Sequence, residues 1–149
     1  MGLIYANVIL RNGEDVMELR KKKITEGEVR KMEVKVLVDS GAIIMAINET
    51  IKAQLGLETY ERDFAQLADG SSMELDLVWP IEVRFGNRKA MVEAFVLPGD
   101  AEPLLGAIPM EKMDVLIDVG RQELIINPSH PNRPQFSMKR LSAKRLIEK

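Results

Sequence analysis

The chain has 149 residues, 46% hydrophobic and 30% charged, with a net charge of −2, no cysteine and one histidine. That is enough for one domain with a core and hardly enough for two. Disulfides, thiolate metal sites and cysteine nucleophiles are excluded, and His130 has no second histidine with which to share a metal.

In chain order, Leu3–Leu10 predicts a first strand ended by the turn pair Asn12-Gly13. Residues 14–31 are densely charged and predict a short helix followed by a loop. Met32–Val38 alternates with period two, as a half-buried strand does. It runs into Asp39-Ser40-Gly41-Ala42, and a second apolar run, 43–47, follows. A carboxylate between two buried segments is costly unless it is satisfied or used. Ser40 adds a hydroxyl that can donate or accept, and Gly41 leaves room for close backbone approach. The same triplet is also ordinary turn chemistry. Its position between two apolar runs favours a carboxylate at the floor of a cleft.

Asn48 then reads as the N-cap of a helix over 49–55, with Gly56 as its stop. Strand-like runs 59–67 and 73–78 flank Ala68-Asp69-Gly70-Ser71-Ser72, a hairpin signal. Runs 81–85 and 89–97 flank Gly86-Asn87 as a second hairpin. Pro98-Gly99-Asp100 breaks the pattern before Leu104-Leu105-Gly106. Pro109 suits the first turn of a helix over 110–113, and 115–117 with 123–126 make a last hairpin around Gly120. Many short strands with two short helices imply a mostly β, barrel-like domain.

From Ser129 onward six basic residues face one acidic residue. Residues 1–128 carry 15 basic and 22 acidic side chains. A basic tail on an acidic body suits folding back, meeting another copy, or touching a polyanion. No apolar run approaches a membrane span and there is no signal-peptide core, so a cytoplasmic location is the expectation.

The order of these parts resembles the retropepsin-like (clan AA) aspartic proteases, in particular the small bacterial and archaeal type. The likeness rests on Val38-Asp39-Ser40-Gly41-Ala42, a later glycine-containing hairpin, then Leu104-Leu105-Gly106 with a short helix and closing hairpin. It implies a retropepsin-like acid-protease barrel with a flap hairpin and one or two short helices. The protease domain would span 1–128, with 14–31 as a charged insertion and 129–149 as a basic tail. Asp39 would be the catalytic aspartate and Ser40 the hydroxyl gripping across a dimer axis. Gly41 and Ala42 would complete the loop, with Leu104, Leu105 and Gly106 packed behind it. Ala68, Asp69, Gly70 and Ser71 would form the flap over a peptide.

The chemistry needs two carboxylates sharing a proton around one water. One Asp-Ser-Gly triplet supplies this only in a homodimer. The resemblance therefore implies an aspartic endopeptidase without cofactor, metal or membrane, acting on peptide or protein. A non-catalytic dimeric peptide-binding module with the same fold is the alternative. Nucleic acid ranks below peptide as a partner, because only Phe136 offers an aromatic face near the basic residues. Three features depart from the family pattern: Ile43 stands where many members carry Ser or Thr, the 14–31 insertion is long, and the hairpin tip at Asp69–Ser72 is polar.

Overall fold

The computed structural model describes residues 2–138; the expectations for the basic tail fall on 139–149, outside the described residues. Nine strands are present: β1 (Tyr5–Asn12), β2 (Lys31–Val38), β3 (Met45–Asn48), β4 (Thr59–Gln66), β5 (Ser72–Phe85), β6 (Arg88–Leu97), β7 (Leu104–Leu105), β8 (Val115–Asp118) and β9 (Glu123–Ile126). Three α-helices join them: α1 (Gly13–Arg20), α2 (Glu49–Leu55) and α3 (Ala107–Met113). Seven strands form one sheet in the order β1-β2-β7-β3-β6-β5-β4, and β1 also pairs with β5. That last pairing closes the sheet on itself and leaves β4 outside the ring. β8 and β9 form a separate hairpin. The mostly β architecture expected from the strand pattern is the one observed.

Period-two patterning explains the inner surface. Ala6, Val8 and Leu10 of β1 and Val34, Val36 and Val38 of β2 are buried, and Val8 lies opposite Val34. β3 is buried at all four positions: β6 and β7 pair its edges, and α2 and α3 pack against it. A strand covered on both faces reads as an apolar run, here Met45-Ala46-Ile47, rather than as an alternating one.

Two sequence expectations need correction. The runs 73–78 and 81–85 are one strand of 14 residues, β5, which passes through Trp79-Pro80. Its pairing with β6 skips between Val78 and Ile81, so Pro80, which has no N–H, falls where the ladder asks for none. Among the described residues there are three α-helices where the barrel was expected to carry one or two. The short helix expected within the charged insertion is α1, at its start. The Asn12 side chain caps it by accepting from the Asp15 amide at 3.1 Å, and donates to the Leu55 carbonyl at 2.8 Å. Asp15 in turn takes two hydrogen bonds from the Arg30 guanidinium, at 2.8 and 3.0 Å. α2 has the expected ends: Asn48 accepts from Ile51 N–H at 2.9 Å, and Gly56 takes the left-handed conformation with φ +62°.

Charges inside the domain are paired. Arg11 of β1 stands opposite Glu82 of β5 and donates to it at 2.7 Å; both side chains are about 95% buried. Burial alone would push the Glu82 carboxyl up. Hydrogen bonds from Arg11 and Arg84 outweigh it and hold the group below its usual range. A second cluster fastens the chain after β9. Asp114, just past α3, accepts from the Asn127 side chain at 3.0 Å and the Gln135 amide at 3.0 Å, and lies 2.6 Å from His130 Nδ1. Buried Arg88 donates to the His130 carbonyl.

β7 is wedged between β2 and β3, the strands that the Asp39 loop connects. Leu104 and Leu105 pair in parallel with Leu37 and Val38, and Leu104 faces Ala46 of β3. Gly106 follows, buried against the loop. A Cβ there would lie 2.3 Å from the Ile44 carbonyl oxygen and 2.7 Å from that of Ala42. The requirement is steric, since its φ of −92° is open to any residue.

Gly106→Ala should lower stability by about 1–3 kcal/mol, the range for overpacking against fixed atoms, measured by denaturant unfolding. An unchanged midpoint would mean that the loop yields freely. For the Asp114 cluster, hydrogen bonding from the Gln135 amide and the Asn127 side chain lowers the Asp114 carboxyl from 3.8 to about 2. A depressed carboxyl stabilises the folded state above its ordinary value and loses that effect as pH falls through the folded one. Hydrogen exchange at the Gln135 amide, corrected for intrinsic rate, should therefore accelerate between pH 3.8 and about 2. In Asp114→Ala it should be fast throughout.

Candidate active site

Strand β2 is held on both sides up to its last residue. Val38 N–H donates to the Ile4 carbonyl at 2.8 Å, Leu37 N–H to Pro103 at 2.9 Å, and Asp39 N–H to Leu105 at 3.0 Å. The chain then turns: Ala42 N–H returns to the Asp39 carbonyl at 3.1 Å, and Gly41 N–H donates to the Asp39 carboxylate at 2.9 Å. A Cβ on Gly41 would stand 3.1 Å from that same carboxylate oxygen. Glycine therefore lets the amide orient the acid without a side chain pressing on it.

The far side of the loop is fixed by α3. The first amides of a helix have no partner within it. Here those of Ala107 and Ile108 donate to the carbonyls of Ala42 and Ile43, at 2.8 and 2.9 Å. Five backbone hydrogen bonds around residues 38–43, donated to the Ile4 and Leu105 carbonyls and by the Ala42, Ala107 and Ile108 amides, thus set the loop on the barrel. Its outer surface is open: Asp39 is half-buried, and Ser40 and Gly41 are exposed. Ile43 is 70% exposed. Among the described residues, Gly41 is the hydrogen-bond partner of the Asp39 carboxylate, and the Ser40 hydroxyl has none.

The structure brings together Asp39, Ser40, Gly41 and Ala42 with Leu104, Leu105 and Gly106. Ala68–Ser71 lie elsewhere, at the exposed tip of the β4–β5 hairpin. That tip is built by Gly70 N–H to the Leu67 carbonyl (2.9 Å) and Leu67 N–H to the Ser71 carbonyl (2.8 Å), with Gly70 at φ +86°. Asp69 accepts from the Ser71 amide at 2.9 Å, and hydrogen bonds from Ser71 draw its carboxyl below the usual range. No hydrogen bond joins the described hairpin tip to the Asp39 loop.

Asp76 of β5 and Asp118 of β8 are engaged elsewhere. Asp76 accepts from Thr59 at 3.0 Å and sits 3.5 Å from both Lys52 and Arg62. The Thr59 hydroxyl and these cations lower its carboxyl. It is more engaged than a plain solvent-facing strand position. Asp118 accepts from the Arg121 amide at 3.1 Å, closing the turn before β9. Among the described residues no three His, Cys, Asp or Glu side chains gather as a metal would need. No described helix is long and apolar enough to cross a membrane.

One feature of the neighbourhood escapes a linear reading. A groove of about 480 Å³ begins at Ile44 and is walled by Tyr60, Trp79, Met91, Ile108 and Pro109. These residues come from the end of the loop, β4, β5, β6 and α3. Only unusual exposure would have flagged them, and exposure has no signature in sequence.

No curated protein matches the chain. Its fold is similar to that in the crystal structure of the retroviral protease-like domain of Ddi1 from Leishmania major, with a TM-score of 0.55 and 18% sequence identity, over 95% of this chain and 99% of that one. At that identity the likeness concerns the fold alone. The family model described as "gag-polyprotein putative aspartyl protease" matches residues 25–111, more than half of the chain. The matched stretch includes Asp39-Ser40-Gly41, the β4–β5 hairpin and Leu104-Leu105-Gly106, and by that match the chain belongs to the retropepsin-like aspartyl protease family.

Proposed function

We propose that this protein is an aspartic endopeptidase active as a homodimer, with one Asp39 from each copy. The observation that carries the reading is the state of that residue. Its backbone is clamped by the Leu105 carbonyl, its carboxylate is oriented by the Gly41 amide, and it is half-exposed with no acidic partner among the described residues. A lone, positioned, open carboxylate makes half of a two-acid site.

In the dimer the paired acids hold one proton and one water between them, because like charges at contact distance do not both ionise cheaply. The ionised carboxylate takes a proton from the water as its oxygen attacks the peptide carbonyl carbon. The protonated carboxyl donates to the developing oxyanion, and a proton then passes to the leaving nitrogen. Ser40, exposed and with no partner for its hydroxyl among the described residues, bonds across the two-fold axis in this reading. The β4–β5 hairpin acts as the flap, and the peptide lies beneath it as an added strand. Exposed apolar side chains beside the loop support pairing. Ile43 is 70% exposed, Leu3 68% and Val119 60%. The N-terminal segment runs beside β2 through Ile4, and Gly2 meets Gln122 of the β8–β9 turn. The order of the motifs favours the small bacterial or archaeal type, and a chain without cysteine suits the reducing cytoplasm.

Asp39→Asn should reduce peptide hydrolysis by about 10³-fold or more while the dimer persists in sedimentation. Cleavage that survives the change, or a purely monomeric active species, would remove the reading. A stable dimer that binds peptides without cutting them would assign the non-catalytic alternative.

A further inference from the structure

The groove that starts at Ile44 is an extension of the Asp39 loop rather than a separate cavity. Ile44 ends the loop, and the Ile108 amide holds the carbonyl of Ile43 at 2.9 Å. Loop and groove wall are therefore one hydrogen-bonded piece, and Ile44 and Ile108 carry it into a groove that Tyr60 and Trp79 also line. We propose that the groove receives an apolar stretch of the substrate polypeptide outside the residues at the scissile bond. The identity of that occupant rests on the endopeptidase reading.

The chemistry of the lining selects an apolar occupant. The polar side chains of the lining each hold a partner within the chain: the Tyr60 hydroxyl is hydrogen-bonded to Glu93, and Lys112 Nζ donates to the Met91 carbonyl at 3.2 Å. The bond to Glu93 also pushes the Tyr60 hydroxyl up to about 12, so it stays a donor committed to that carboxylate. What faces the groove is ring and aliphatic surface. Trp79 is 47% exposed, Tyr60 50% and Ile108 38%. A strongly polar segment would leave water for a lining in which the charged side chains, Glu93 and Lys112, already hold partners within the chain. An apolar one would cover surface that otherwise stays wet. Tyr60 is fixed by Glu93, and Trp79 precedes buried Pro80 in the paired strand β5, so little freedom is lost on binding. The volume of about 480 Å³ falls within the range typical of binding sites.

Trp79 is the one tryptophan of the chain, so its emission reports directly on the groove. The test uses the full-length Asp39→Asn protein, so that bound peptide stays intact. Two peptides share the centre Ala-Gln-Leu-Phe-Ala-Gln; one carries Leu-Pro-Phe-Ile at both ends and the other Gly-Ser-Gly-Ser. The apolar-flanked peptide should shift Trp79 emission to the blue and bind about tenfold more tightly. Tyr60→Ala and Met91→Ala should each remove most of that advantage and leave the affinity of the Gly-Ser-flanked peptide unchanged. Equal affinities, or no Trp79 response to either peptide, would overturn the proposal. A concentration-dependent shift without peptide would also overturn it, by naming a second copy as occupant. Hydrolysis by the unsubstituted protein is scored separately. Cleavage without a Trp79 preference removes the groove and keeps the enzyme, whereas a Trp79 titration without cleavage does the reverse.

Discussion

The hydrogen bond from the Asp39 amide to the Leu105 carbonyl, at 3.0 Å, ties the acid-bearing turn to a strand of only two residues. β7 could not stand alone; its stability is borrowed from β2 and β3 on its two sides. In return it separates those strands and makes the connection between them bulge outward as a loop. Gly106 lets the chain leave β7 within touching distance of the loop carbonyls, and α3 starts there with its first amides already satisfied. Acid, glycine and helix start form one unit. A change in any of them is felt as a displacement of the carboxylate.

The charged residues inside and at the edges of the barrel work in a different way. Arg11 and Glu82 meet across a pair of strands at the seam where β1 closes onto β5, so a buried ion pair marks the correct register of closure. Losing one member would strand the other without water, which costs more than the pair itself contributes. The Asp114 cluster gathers donors from Asn127, His130 and Gln135 and thereby holds a segment that has no strand of its own to join. Neither group approaches Asp39 through a recorded hydrogen bond, and both act on where the chain runs.

Local chemistry was legible in the sequence, and assembly was not. Asn48 and Gly56 announce the ends of α2 because a cap and a left-handed stop depend on neighbours within four residues. The Asp39 turn and Leu104-Leu105-Gly106 could be singled out because apolar runs around a polar triplet are visible in one dimension. The unity of β5 was hidden: a proline normally ends a strand, and only the skipped pairing opposite Val78 and Ile81 tolerates it. The helix at 13–20 could be read only as a short helix somewhere within 14–31, since it is held by Asn12 and the Asp15–Arg30 pair rather than by an apolar face. The groove beside Ile44 was invisible for a simpler reason. Five separated segments supply its walls.

The distance along the chain between Asp39 and Leu105 has a consequence for how the molecule is made. While a ribosome is still translating the first two strands, nothing exists to grip the acidic turn, because its holder is encoded well past the midpoint. Contacts so far apart are also slow to form. The carboxylate consequently acquires its fixed pose only when nearly the whole barrel has been synthesised. A truncated or half-grown product carries the carboxylate without the means to aim it.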